Sequence, residues 1–105
     1  MVFRVVKILR DATAVSAGDG FEVPTNKKSF QATITGAGGP YSAQVDIEGS
    51  HNGVDWIEDE LGSIVFTAAA TGSANGIVVD CPWPFIRARV ISIDAGATLN
   101  VTMAE

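Results

Sequence analysis

The residue types that most often carry out nucleophilic or acid-base chemistry are scarce in this chain. There is one histidine, His51, and one cysteine, Cys81, and thirty positions separate them. A cysteine nucleophile needs a base and a third group that orients this base, and neither residue stands in a motif that supplies them. His51 precedes an Asn-Gly turn and Cys81 stands beside a proline. We interpret them as an exposed turn residue and a small apolar residue at a strand end, and we expect no enzymatic activity.

Carboxylates are the second group with chemical potential, and they are concentrated between Glu48 and Glu60. Such groups ligate calcium or, as a pair, hydrolyse a glycosidic bond. A calcium loop spaces its ligands around the ion, whereas neighbouring side chains in the run Glu58–Glu60 point apart if the run is extended. We interpret the run as a solvated acidic loop and expect no metal ion and no other cofactor. Cation binding by Glu58–Glu60 is the alternative.

We expect two arginines and one tryptophan to stabilise the fold rather than to bind a ligand. Arg87 and Arg89 alternate with apolar residues, so we expect them on the outer face of a strand. Pairing with Asp46 or Glu48 on a neighbouring strand is the use that this position favours. Trp56 follows the Asn-Gly turn, and we expect its indole to close one end of the hydrophobic core.

The aliphatic composition predicts strands. The chain has twelve Val and nine Ile against three Leu, with eight Thr and eleven Gly. β-Branched side chains fit a pleated, half-buried surface, and glycine fits tight turns. The run Ser29–Thr35 and the run Ala43–Glu48 alternate apolar and polar residues on either side of Gly36–Pro40, which predicts a hairpin. We also expect short strands at Val54–Ile57 and near Phe21–Val23.

The spacing of about eight or nine such strands predicts an all-β, single-domain β-sandwich that is jelly-roll-like and covers residues 1–105. Hydrophobic residues make up 47% of the chain and charged residues 18%, which is not the composition of a disordered protein. The net charge of −5 disfavours binding to a nucleic-acid backbone. Charges at Arg4, Lys7 and Arg10 interrupt the amino-terminal apolar run, so we expect no signal peptide and no membrane association.

The amino-terminal strand differs from the others because both of its faces are apolar. If it is regular, Val2, Val6 and Ile8 lie on one face, and Phe3, Val5 and Leu9 lie on the other. In a small sandwich, one of these faces would otherwise meet water. Either the strand lies deep in its own sheet, or residues 1–10 form an assembly strand or arm whose second face packs on another subunit. The predicted interface residues are Val2, Phe3, Val5, Leu9 and Trp83.

Two stretches resemble a recurrent jelly-roll pattern. In Ile47–Trp56 a strand ends in a Ser-x-Asn-Gly-x-x-Trp turn, and Pro84–Val90 contains an aromatic-Ile-Arg strand. Discoidin-like, galactose-binding-like domains carry this pattern, and so do many small structural proteins of tailed bacteriophages. The chain resembles the phage proteins more closely in its brevity, its abundance of Ala, Gly, Val and Thr, and its single cysteine. The similarity extends roughly from Ser29 to Met103.

The phage resemblance implies a non-enzymatic virion structural protein, and the chain length suits a capsid decoration, or cement, protein. It implies a homo-oligomer, with a trimer favoured, that binds the major capsid protein on the phage capsid surface after synthesis in the host cytoplasm. The galactose-binding resemblance implies the alternative, a carbohydrate-binding or adhesin-type module of a phage tail or bacterial surface with a glycan as its ligand. Because a sandwich hosts many unrelated roles, the fold alone does not choose between them.

Overall fold

The computed structural model describes residues 5–23, 27–80 and 83–104. These residues form nine strands, and none of them belongs to a helix that could span a membrane. The strands are β1 (Val5–Ala12), β2 (Ser16–Ala17), β3 (Phe21–Glu22), β4 (Lys27–Thr35), β5 (Tyr41–Ser50), β6 (Gly62–Ala69), β7 (Ser73–Asp80), β8 (Phe85–Ile93) and β9 (Thr98–Ala104).

The strands form two antiparallel sheets. The first, here the β1 sheet, has the order β1-β9-β4-β7, and the second, here the β5 sheet, has the order β2-β8-β5-β6. The short strands β2 and β3 lie one after the other along the same edge of β8. With these two counted as one edge strand, consecutive strands alternate between the sheets except for β5 and β6, which are neighbours in one sheet, and the resulting order is jelly-roll-like. The predicted all-β sandwich is confirmed.

The core lies between the two sheets and is built by every second residue of the long strands. Side chains at these positions face the opposite sheet, as the period of two along a strand requires. The largest fully buried apolar side chains are Phe30, Ile34, Ile47, Ile64, Ile86, Leu99 and Met103.

The predicted hairpin between β4 and β5 is wrong. β4 pairs with β7 and β9, whereas β5 pairs with β6 and β8 in the other sheet. Gly36–Pro40 therefore carries the chain from one sheet to the other. Its Gly38 N–H donates to the Tyr41 hydroxyl at 2.8 Å. A Cβ at Gly36 would lie 2.5 Å from the same oxygen, so the crossing requires glycine there.

A register shift in β1 changes the interpretation of the amino-terminal strand. Lys7 pairs with Thr102 but Leu9 pairs with Val101, so β1 contains an extra residue relative to β9. Such a bulge lets the consecutive residues Ile8 and Leu9 both enter the core, where they are 3% and 6% exposed. The expectation that Leu9 contacts a partner is wrong, because its side chain is used inside its own domain. Val2 and Phe3 lie outside the described residues.

Candidate functional site

A cluster of charged side chains lies on the outer face of the β5 sheet, where Glu48 of β5 stands opposite Arg87 of β8. Arg87 Nε donates to Glu48 Oε1 at 2.7 Å, and Arg89 Nη1 lies 3.6 Å from Glu48 Oε2. The cross-strand pairing predicted for the two arginines is confirmed. Each oxygen of the carboxylate thus faces a guanidinium group.

The burial of Glu48 indicates that this ion pair stabilises the fold. The Glu48 side chain is 6% exposed, whereas those of Arg87 and Arg89 are 20% and 49% exposed. A carboxylate removed from water needs a charged, hydrogen-bonded partner, and Arg87 provides it. The Glu48 carboxylate is therefore held in an ion pair, with one hydrogen bond from Arg87 and a longer electrostatic contact with Arg89. Arg89 keeps half of its side chain in solvent and is the more accessible cation.

The indole of Trp56 packs against the arginine of this ion pair. The Arg87 guanidinium carbon lies 4.5 Å from the centre of the Trp56 ring, which is cation-π distance. A Cβ at Gly20 would lie 2.8 Å from Trp56 Cζ2, so the backbone there packs against the same ring system. Trp56 is half-buried and lies outside the core cluster. The prediction that it closes one end of the core is wrong.

A tightly hydrogen-bonded loop holds Trp56 in this place. The fully buried Ser50 Oγ donates to the carbonyl of Asp55 at 2.6 Å and accepts the N–H groups of Asn52 and Gly53 at 3.2 and 3.0 Å. Gly53 has φ of 76°, a conformation that favours glycine. These contacts bend the chain back over β8, so the strand predicted at Val54–Ile57 is wrong. Ser50, two positions before the Asn52-Gly53 pair, is the sequence feature that indicates such a turn.

Trp83, a predicted interface residue, stands beside the exposed His51. Their ring centres are 4.7 Å apart, and the ring planes are inclined by 38°. Trp83 also packs against the backbone of Gly49. A Cβ atom on Gly49 would lie 2.7 Å from the indole Cγ, so a larger residue there would clash with the ring. Trp83 is half-buried and packs partly on the core, and its interface role stays a prediction. Cys81 lies outside the described residues.

The acidic run Glu58–Glu60 lies in an exposed loop between β5 and β6. All three side chains are solvated, as the acidic-loop interpretation predicts. Among the described residues, no group of three or more His, Cys, Asp or Glu side chains has the arrangement to hold a metal ion.

The outer face of the β1 sheet carries a groove with a volume of about 690 Å³. Val5, a predicted interface residue, lies at one side and is 63% exposed, and Val78 of β7 lies at the other and is 65% exposed. The sequence interpretation missed Val78. The sequence feature that could have identified Val78 is the run of three apolar residues, Ile77–Val79. Successive side chains of a strand point to opposite faces, so if Ile77 and Val79 face the core, Val78 must point outward.

Comparison with known proteins identifies a similar fold but no family. No protein-family model matches the chain, and no curated protein matches it. Among solved structures, the chain is similar to the crystal structure of the SPBc2 prophage-derived protein YomS, with a TM-score of 0.59. The two chains are 14% identical, and the match covers 99% of this chain and 94% of that one. At this identity the likeness establishes a shared fold.

Proposed function

We propose that this protein is a non-enzymatic structural component of a phage virion, and specifically a capsid decoration protein. In this role it forms a small homo-oligomer, with a trimer favoured, on the outer surface of the major capsid protein. The observation that carries the proposal is the likeness to a prophage-derived protein over nearly the whole length of both chains. A match of this extent aligns complete sandwiches rather than one shared hairpin.

The geometry of the charged cluster supports a role without catalysis. The two arginines nearest Glu48 engage its carboxylate, and Trp56 covers Arg87. Catalytic acids and bases need a proton-transfer path to a substrate, and this carboxylate is directed into an ion pair instead. Hydrolase screens with esters, peptides and glycosides should show no turnover. Turnover that disappears in Glu58→Gln/Asp59→Asn would contradict this expectation.

Capsid association is tested with particles of the phage that encodes the chain. Heads that lack this protein are mixed with the purified protein, sedimented, and imaged for added density at the capsid symmetry axes. We expect stoichiometric co-sedimentation and density on the outer surface. Recovery with tails alone, or in the supernatant only, would contradict the decoration role.

A pair of tryptophan variants makes this test specific. Trp83→Phe alters the predicted contact residue, and Trp56→Phe alters an indole that contacts Arg87 in its own chain. We expect the first variant to lower capsid occupancy and the second to leave it unchanged, with circular dichroism showing that both are folded. Equal occupancy for Trp83→Phe and the wild type would remove Trp83 from the capsid contact.

A carbohydrate-binding module is the second candidate, favoured by the tilted contact between the exposed His51 ring and the half-buried Trp83 ring, since aromatic rings that reach the surface bind sugar faces. A glycan array distinguishes the two candidates. We expect no glycan to bind; saturable binding that Trp83→Ala abolishes would favour the carbohydrate role over decoration.

A further inference from the structure

The chain contains two Asn-Gly pairs, Asn52-Gly53 and Asn75-Gly76. Deamidation proceeds readily at such a pair, because the glycine nitrogen can approach the asparagine side-chain amide without hindrance from a Cβ. In a folded chain, this intramolecular attack depends on how the nitrogen and the amide are held relative to each other. The structure holds them differently in the two pairs.

The first pair is fixed by hydrogen bonds within its loop. Asn52 Oδ1 accepts the N–H groups of Val54 and Asp55, each at 2.9 Å, and Asn52 Nδ2 donates to Asp55 Oδ2 at 2.9 Å. The Gly53 N–H donates to the buried Ser50 Oγ at 3.0 Å. Attack by the Gly53 nitrogen would require several of these hydrogen bonds to break, so the loop protects the Asn52 amide.

The second pair lies on β7, the strand at one end of the order β1-β9-β4-β7. Asn75 and Gly76 are both exposed. The Gly76 N–H donates to Oδ1 of Asn75 at 2.9 Å, so it is directed to this side chain and not to the neighbouring strand β4. The nitrogen that would attack and the amide that it would attack therefore lie next to each other and in contact with water.

Both residues of the second pair also have a role in the fold. A Cβ at Gly76 would lie 2.8 Å from the Phe30 carbonyl oxygen, so the strand requires glycine at this position. Asn75 Nδ2 donates to the Val65 carbonyl of β6 at 3.0 Å, and this hydrogen bond joins the two sheets where β6 and β7 meet, here the β6–β7 edge. An exposed hydrogen bond of this kind is a weaker restraint than the several that hold Asn52.

We propose that Asn75 is a site of spontaneous deamidation and that the product loosens the β6–β7 edge. The Gly76 nitrogen loses its proton to a solvent base and bonds to Asn75 Cγ. The Cγ–Nδ2 bond breaks, and Nδ2 takes up a proton and leaves as ammonia. Water then opens the resulting succinimide to aspartate or isoaspartate. The net reaction is the hydrolysis of one amide, and the inference does not rest on the proposed capsid role.

The product cannot replace the hydrogen bond that the amide donated. A carboxylate at position 75 only accepts hydrogen bonds, so it repels the Val65 carbonyl oxygen that Asn75 Nδ2 contacts in the unmodified chain. The chain also gains one negative charge, because an aspartate is ionised at neutral pH. The two sheets thus lose a hydrogen bond at the β6–β7 edge, and we expect the modified domain to melt at a lower temperature.

The test follows both asparagines in the same purified protein during incubation at mildly alkaline pH. Peptide mapping by mass spectrometry locates each replacement of an amide NH2 by OH, and chromatography separates the aspartate and isoaspartate products. We expect Asn75 to react at least about 10-fold faster than Asn52, because more hydrogen bonds must break at Asn52. In urea, which unfolds the chain, the two pairs should react at similar rates.

Asn75→Gln is the control for this position, because a glutamine would have to close a larger ring and should remain an amide. Two results would overturn the proposal. One is an Asn52 that reacts as fast as Asn75 in the folded protein, and the other is an Asn75 that remains unmodified after most of the unfolded chain has reacted.

Asn75→Asp tests the effect of the product on the fold without waiting for the reaction. Asn100→Asp is its matched control, since Asn100 Oδ1 accepts the Asp11 N–H at 3.0 Å and an aspartate can accept the same hydrogen bond. We expect a lower Tm for Asn75→Asp than for Asn100→Asp in thermal unfolding followed by circular dichroism. Equal Tm values would overturn the proposed loosening of the β6–β7 edge.

Discussion

Neutralising Glu48 is the sharpest test of how the charged face of the β5 sheet is stabilised. Glu48→Gln keeps the size of the side chain but removes its charge. Arg87, which is 20% exposed, then lies beside Arg89 without the carboxylate that approaches it at 2.7 Å. The substituted amide can still accept a hydrogen bond from Arg87, so the lost quantity is the charge interaction rather than the packing.

The cost lies between two known limits. Removing one partner of a fully buried ion pair costs about 3–5 kcal/mol, whereas an exposed pair contributes about 0–1 kcal/mol. Glu48 is buried, but Arg89 is half exposed, so solvent screens part of the repulsion between the two arginines. We therefore expect the free energy of unfolding to fall by about 2 kcal/mol, an intermediate value. For a domain of this size, this loss lowers Tm by roughly 8–16 °C.

The assay is thermal and urea unfolding followed by circular dichroism, with Glu58→Gln as control. Glu58 is an exposed acid in the neighbouring loop, so the control makes the same chemical change without the ion pair. If Glu48→Gln lowers Tm no more than Glu58→Gln does, the burial argument is refuted. A double-mutant cycle with Arg87→Met then measures the coupling between Glu48 and Arg87 directly.

Two further substitutions test the loop that covers this face. Ser50→Ala removes the acceptor of the Asn52 and Gly53 N–H groups, and we expect a loss of about 1 kcal/mol in urea unfolding, because these groups are only part-buried and water can replace the hydroxyl; a wild-type midpoint would contradict it. Trp56→Ala should cost about 1 kcal/mol, the scale of a cation-π contact, instead of the roughly 3–5 kcal/mol of a core tryptophan. A loss of the larger size in thermal unfolding would restore the core interpretation of Trp56.

The strand content and the cross-strand ion pair could be predicted because they depend on local pattern. Alternation along β8 places Arg87 and Arg89 on the polar face, and a neighbouring strand with the same alternation offers Glu48. β-Branched composition and regular turn spacing then favour a sandwich. Predicting these features requires only the alternation of apolar and polar residues along each strand, which is visible in the sequence.

The pairing of strands could not be predicted in the same way. Gly36–Pro40 is equally compatible with a hairpin and with a crossing between sheets, and only the positions of β7 and β9 beside β4 decide between them. The bulge in β1 likewise follows from pairing with β9, and it moves Leu9 from the predicted outer face into the core. A single extra residue therefore reassigns a side chain from interface to core.

The charged cluster on the outer face of the β5 sheet and the groove on the outer face of the β1 sheet differ in the free energy that removing water from them would cost. Covering the β5-sheet face would remove water from Arg89, whose side chain is half exposed, and would require a partner with matching charges. Covering the groove on the β1-sheet face removes water from Val5 and Val78 and from uncharged residues, and the exposed Lys7 stands in the neighbouring row. Burial of apolar surface is favourable, whereas burial of incompletely paired charge is not. Covering the groove of the β1 sheet would therefore cost less desolvation free energy than covering the charged cluster of the β5 sheet.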